Sequence, residues 1–291
     1  MPRPLRLPLP TDFDLDWTLG FLATRTVSSL EAVVPGGYRR SVRVSGRPVV
    51  LTLDVKEGGD GARFLTVVAP ELSTADAKAA VVRMLDLDAD LAAFRDRADA
   101  DPLLRDLVAR RPGLRLPQLL DPFEGVMRAV LGQQVSVVAA STLLDRLVRR
   151  IGLAAPGGAF LAFPLPHHVA ALGRDAIAAL GMPRAKAAAL HGVAQAVADG
   201  ALDLERLRLA PGDEAQAALV ALPGLGPWTA SYVRMRTLGD RDAFPAADLG
   251  VVKALRALHP GETLSKRQIE TLGERWRPWR AYATLHLWSS L

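Results

Sequence analysis

Strand-like sequence is confined to the first 68 residues of this 291-residue chain, and no convincing strand follows residue 117. That split assigns the α+β class: a small antiparallel-sheet unit comes first and an all-helical body second. Trp17 to Val33 reads as a helical pattern, with Leu19, Leu22, Val27, Leu30 and Val33 apolar. Three strand-like runs follow, Tyr38–Val44, Val49–Val55 and Phe64–Val68. The Gly-rich stretch Lys56-Glu57-Gly58-Gly59-Asp60-Gly61 between the last two suggests a hairpin. A helix is expected from Thr74 to Leu87, capped by Ser73 or Thr74. The character changes across Arg111–Pro117, so the expected domains are 1–112 and 113–291.

In the second part, Asp121-Pro122-Phe123-Glu124 opens a helix, with Asp at the N-cap and Pro at the first position. Phe123, Val126, Met127, Val130 and Leu131 share its apolar face. Ala155-Pro156-Gly157-Gly158 reads as a loop. Further helices are expected at 167–172, 174–180, 184–199 and 213–222, from 227, from 248, at 266–276 and to the end.

The most informative stretch is Leu222-Pro223-Gly224-Leu225-Gly226-Pro227-Trp228-Thr229. One helical pattern ends at Leu222 and another begins at Pro227. Two glycines in the turn permit positive φ and close approach to a ligand. The second helix offers its unpaired N–H groups to an anion, and a DNA phosphate suits such a site. A dinucleotide-binding loop would need a strand before Gly224, and the preceding segment is helical. A Gly-rich turn without a ligand is the bland alternative. Twenty residues after Trp228, Asp248 sits at the mouth of another helix behind Phe244-Pro245-Ala246-Ala247. Alone it reads as an N-cap; a helix N-terminus also favours a carboxylate, so an N-cap can carry chemistry as well.

Composition narrows the chemistry. The chain has no cysteine, which excludes disulfides, cysteine–zinc sites and cysteine-ligated iron–sulfur clusters. Its five histidines form neither HxxxH nor HExxH, so no metal site is expected. No apolar run approaches the ~20 residues of a membrane helix, and the Pro-rich start is unlike a signal peptide. The expected location is cytoplasmic. A net charge of +5 favours an anionic partner. Residues 221–291 hold ten Lys and Arg against six Asp and Glu, so most of the excess lies in the last quarter of the chain.

Eight ordered stretches make the chain resemble the AlkA-type DNA-3-methyladenine glycosylases (class II) of the helix–hairpin–helix superfamily. They are Trp17–Leu22, Thr26–Glu31, Arg111–Pro117, Asp121–Glu124, Arg128–Ser136, Ala179–Pro183, the hairpin with Asp248, and Arg275–Tyr282. The resemblance implies a small sheet domain ahead of a helical core that contains the hairpin 213–235. It implies that Asp248 is catalytic, stabilising positive charge on the sugar as the base leaves. It places Phe21, Trp228, Tyr232 and Trp279 in a base pocket, where aromatic faces attract a cationic base. Core packing is the competing reading for Phe21 and Trp279, and Trp276 and Trp288 read as core. It puts Gln134, with Gln133, in the wedge that fills the gap left by a flipped base, where the best-known member has Leu. Gly224, Leu225, Gly226 and Thr229 become the phosphate-binding hairpin. Relatives that also cut the strand carry a Lys where Trp228 stands, so a monofunctional enzyme is expected. The implied partner is double-stranded DNA with alkylated bases. The implied protein is a monomer with no cofactor, no membrane and no obligate protein partner, located at the nucleoid through DNA.

Overall fold

A computed structural model describes residues 4–59, 61–261 and 264–291. Residues 1–3 and Asp60, which belong to stretches read above, lie outside the described residues. The first part is a five-stranded antiparallel sheet ordered β1-β5-β4-β3-β2. Strand β1 (Leu5–Pro8) leads into helix α1 (Leu15–Ala23), followed by β2 (Glu31–Val34), β3 (Gly37–Val44), β4 (Arg47–Glu57) and β5 (Arg63–Val68). The three expected strands and the β4–β5 pairing are present. Alternation explains why they form: Val49, Leu51, Leu53, Leu65 and Val67 are buried on one face.

Two features depart from the sequence reading. The helical pattern Trp17–Val33 is not one helix. Asp14 caps α1 by accepting from the Trp17 amide, and α1 ends at Ala23. The hydroxyls of Thr24 and Thr26 donate to the carbonyls of Phe21 and Leu22, local bonds that compete with helix continuation. The rest of the pattern, Glu31–Val34, pairs with β3 as an edge strand. Strand β1 is unexpected: its terminal proline masks a register in which Leu5 faces Val67 and Leu7 faces Leu65.

Helix α2 (Thr74–Leu85) is capped by Ser73 and covers the sheet with Ala77, Val81 and Met84. Next come α3 (Leu91–Asp99) and α4 (Pro102–Arg110), then α5 (Pro122–Leu131) and α6 (Val137–Ile151). Asp121 caps α5 through the amides of Phe123 and Glu124, as its sequence requires. A two-residue ladder, β6 (Leu153–Ala154) with β7 (Leu161–Ala162), flanks the 155–158 loop and is the one strand pairing found after residue 117 among the described residues. The chain continues through α7 (Pro166–Leu172), α8 (Arg174–Ala178), α9 (Arg184–Ala198), α10 (Leu204–Leu209), α11 (Gly212–Val220) and α12 (Pro227–Val233). A π-helical turn, Arg234–Leu238, extends α12. Helices α13 (Leu249–Leu258), α14 (Lys266–Glu274) and α15 (Arg280–Ser289) complete the fold.

Three apolar cores result. One joins the sheet to α2. A second lies among α5, α6, α9 and α12. A third joins α3 and α4 to α13, α14 and α15, so the packing crosses the chain-order division at residue 112. The sheet and α5 are further joined by a buried charge cluster. Arg40 of β3 donates to both oxygens of Glu124 at 2.9 and 2.8 Å, and Arg128 bridges Glu124 at 2.7 Å and Glu31 at 2.6 Å. Tyr38 donates to the same Glu31. Two arginines and two glutamates cancel, which is how four such charges are tolerated inside. This cluster fixes α5, whose far end carries the loop described next.

Candidate active site

Helix α5 ends at Leu131, and the loop to α6 begins with Gln133 and Gln134. Gln134 is exposed and left-handed, with φ at 55°, a conformation uncommon for a side-chain-bearing residue. Val135, Val137 and Val138 beside it are exposed as well. Lys186 of α9 holds the loop from below, its Nζ donating to the carbonyls of Leu131 and Gln133 at 2.8 Å each. Gln133, expected in the wedge, is turned the other way. Its Nε2 donates to Gly224 O and to Thr229 Oγ1, both at 2.8 Å. Of the two glutamines, Gln133 is thus occupied by hairpin acceptors and only Gln134 is exposed.

The hairpin joins α11 to α12 as its sequence demands. Gly224 has φ at 89°, and a Cβ there would come within 2.5 Å of Ala189 Cβ on α9. Both facts require glycine. Gly226 caps α12 without a side-chain hydrogen bond and faces open space. The first amides of α12 therefore have no helical partner and suit an anion. Leu225 and the Thr229 side chain are buried, so only their backbone can meet a ligand. Because Gly226 has φ at −84° and room for a side chain, Gly226→Val should fold normally. On the expectation that the hairpin holds a DNA phosphate, it should weaken binding to damaged and undamaged duplexes alike, since amide–phosphate contacts carry no sequence information. Titration of both duplexes checks this; a loss confined to damaged DNA would move the hairpin into the base pocket.

Asp248 follows the Phe244–Ala247 loop and caps α13. Its Oδ1 accepts from the amides of Gly250 (2.9 Å) and Val251 (3.2 Å) and from the indole of Trp288 (2.8 Å). Its Oδ2 accepts from the indole of Trp228 at 3.1 Å. Four N–H donors thus converge on one half-buried carboxylate and leave it a single orientation. Both readings of this residue, cap and chemical group, occupy the same atoms.

An aromatic row runs past the carboxylate. Trp17 stacks on Phe21 (centroids 4.9 Å apart), and Phe21 on Trp288 (6.2 Å). Trp288 meets Tyr232 (6.2 Å), and Tyr232 meets Trp228 (5.6 Å). Of the four expected pocket residues, Phe21, Trp228 and Tyr232 are together. Trp279 is not: it is buried between Phe94 and Tyr282, at 6.0 and 5.3 Å, in the core of α3 and α15. Trp288, read as core, takes that place because α15 packs against α13 and returns its last turn to Asp248. Trp276 is core, its indole donating to Asp101 at 3.3 Å. A cleft of about 480 Å³ adjoins Trp228 and Ala246–Ala247; Arg234, Arg277 and Arg280 in its wall are all paired, with Asp240, Asp242 or Glu274.

The chain has clear relatives. Residues 4–121 match the AlkA N-terminal domain family, and residues 127–278 match the HhH-GPD superfamily of base excision DNA repair proteins. DNA-3-methyladenine glycosylase 2 of Escherichia coli is 36% identical over 279 residues, covering 95% of this chain and 93% of that protein. The probable bifunctional transcriptional activator/DNA repair enzyme AlkA of Mycobacterium tuberculosis is 38% identical over 99% of this chain, which spans 57% of that longer protein. The solved 3-methyladenine DNA glycosylase of Archaeoglobus fulgidus superposes with a TM-score of 0.85 at 25% identity, covering 98% of this chain and 97% of the other.

Proposed function

This protein belongs to the HhH-GPD superfamily of base excision DNA repair proteins and carries the AlkA N-terminal domain; from that membership we propose that it is a monofunctional DNA glycosylase that hydrolyses the bond between an alkylated base and deoxyribose in double-stranded DNA. The observation that carries this reading is the Asp248 carboxylate, held by two indoles and two amides at one end of an aromatic row. An aromatic row can stack a purine extruded from the helix. As the C1′–N bond opens, positive charge develops on the sugar. A fixed carboxylate beside it stabilises that charge without reorganising, and can orient the attacking water. N3- and N7-alkylated purines are cationic and depart easily, so no strong general acid is needed. Trp228 supplies no amine, so no Schiff base forms with the sugar.

The test is direct. Duplexes with one 3-methyladenine-type, 7-methylguanine or hypoxanthine lesion are incubated with the protein, and the released bases are identified by mass. Free modified base and an unbroken strand with an abasic site are expected. An adduct trapped by borohydride would refute the monofunctional reading, and no base release from any duplex would refute the glycosylase.

Gln134 is the wedge in this reading. Lesions that pair poorly need less help to leave the stack, which costs a few kcal/mol for a paired base. Gln134→Ala should therefore slow excision opposite a normal partner more than opposite a mismatch, and Gln134→Leu should keep activity. Single-turnover rates on the two duplexes decide; equal losses would take Gln134 out of the site.

Among the described residues no helix is long and apolar enough to cross a membrane.

A further inference from the structure

The hairpin helix is electrically polarised along one face. Trp228, Tyr232 and Arg236 follow one another at four-residue spacing, the last in the π turn that extends α12. Eight residues carry the chain roughly 10–12 Å. The Trp228 end touches the Asp248 carboxylate. The other end carries Arg236, which is 3% exposed. Its Nε donates to Pro117 O at 2.6 Å, while its Nη1 is buried without a hydrogen-bond partner. The guanidinium carbon lies 4.5 Å from the Phe21 ring centroid, and that of Arg25 lies 3.6 Å from the same ring.

Among the described residues neither arginine has a carboxylate at ion-pair distance, whereas Arg40 and Arg128 of the sheet–α5 cluster do. Burial pushes Arg236 down to about 10, which leaves it cationic near neutral pH. A buried cation without a counter-ion is costly. π-Helical turns are themselves rare and are found frequently at functional sites. The one hydrogen bond to Pro117 O does not account for the buried charge, because an apolar side chain would fill the same space more cheaply.

We infer that Arg236, backed by Arg25, is the electrostatic counterpart of Asp248: it acts across Phe21 to drive negative charge onto the departing base while Asp248 draws positive charge onto the sugar. The inference rests on the proposed glycosylase reaction and its aromatic pocket. When the C1′–N bond breaks, its electron pair goes to the base nitrogen. An alkylated purine that entered as a cation leaves neutral, and the sugar becomes the oxocarbenium cation. A neutral base leaves as an anion, which then takes a proton from water. Water adds at C1′ and gives up a proton in either case. Charge at the base end thus falls by one unit and charge at the sugar rises by one unit, whatever the lesion. A cation behind the base and an anion beside the sugar both favour that change.

Arg236 does not touch the reacting atoms and is a positioning residue in this scheme. Its signature is unlike that of a structural residue. It repels a cationic base in the ground state and gains only as the bond opens, so it raises the rate at the expense of binding.

The experiment compares Arg236→Met with the natural protein on duplexes bearing one 7-methylguanine (cationic) or one hypoxanthine (neutral). Single-turnover rates should fall about three- to fourfold on both, the difference between the cation's favourable effect at the base and its smaller opposing effect at the sugar a few Å further away, at an effective dielectric near 20. Measured in an Asp248→Asn background, affinity for the 7-methylguanine duplex should rise several-fold, and affinity for the hypoxanthine duplex should stay constant. Arg236→Lys should keep most of the rate. Arg25 is half-buried at the surface, so Arg25→Met tests the same field without disturbing the core and should slow both substrates about threefold. Unchanged rates in Arg236→Met, or in Arg25→Met should the first variant not fold, overturn the inference. So does a rate loss accompanied by weaker 7-methylguanine binding and a lower melting temperature, which marks a packing role. A natural protein that releases neither base refutes the glycosylase reading itself, and that control keeps the two failures apart.

Discussion

Asp248→Asn should bind a damaged duplex as the natural protein does and release its base about 10²- to 10³-fold more slowly, or slower still. The substitution is chosen for what it preserves. Asn caps a helix as well as Asp does, so α13 keeps its amide bonds to Oδ1 and the fold is retained. Trp288 keeps the same acceptor. What is lost is the negative charge, and with it the acceptor for Trp228, whose indole N–H would face the amide NH₂. The loss should therefore fall on the rate and leave binding almost untouched. Stopped single-turnover assays with a binding titration separate the two quantities. Turnover within tenfold of the natural rate would show that the carboxylate is only a cap.

The second large effect concerns stability. Glu124 is fully buried and accepts three hydrogen bonds, two from Arg40 and one from Arg128. Burial works against the charge of Arg40, and the pull of Glu124 overrides it and raises the guanidinium above its ordinary value. Glu124→Ala leaves two buried arginines facing Glu31 alone. Removing one partner from such a group costs about 3–5 kcal/mol, because the remaining charge stays buried without compensation. Denaturant unfolding should show that loss. A change below about 1 kcal/mol would mean that water or rearranged side chains replace the carboxylate, and that the cluster does not hold α5 to the sheet.

Much of the architecture is legible in the sequence because local rules agree with the tertiary outcome. The alternation in β3–β5, the Ser73 and Asp121 caps and the Gly224–Pro227 turn each name their own structure. Strand β1 is illegible because four residues with a terminal proline acquire strand geometry only by pairing with β5. The stretch 24–34 misleads because its apolar spacing mimics a helix, while its last residues gain more by pairing with β3.

The same limit applies at the site. Asp248, Trp228, Tyr232 and Phe21 are found from spacing and resemblance, and they meet in space. Trp279 and Trp288 are nine residues apart at opposite ends of α15, and nothing local says which end returns to Asp248. That depends on how α15 crosses α13. Gln133 and Gln134 are adjacent amides with opposite fates, decided by the left-handed backbone of the second. Arg236 shares the four-residue spacing of Trp228 and Tyr232, but nothing local says that a charged side chain at that position is buried.

The bond pair of Gln133 has a further consequence. One amide nitrogen is shared between the hairpin carbonyl of Gly224 and the hydroxyl of Thr229, while Lys186 clamps the carbonyls on the other side of the same loop. The segment that would hold a phosphate and the tip that would enter the stack are therefore tied together as the two jaws of a caliper. In the proposed reading, a phosphate seated on the hairpin would set the Gln134 tip at one offset from the base stack, so that holding the helix and inspecting it would be a single act.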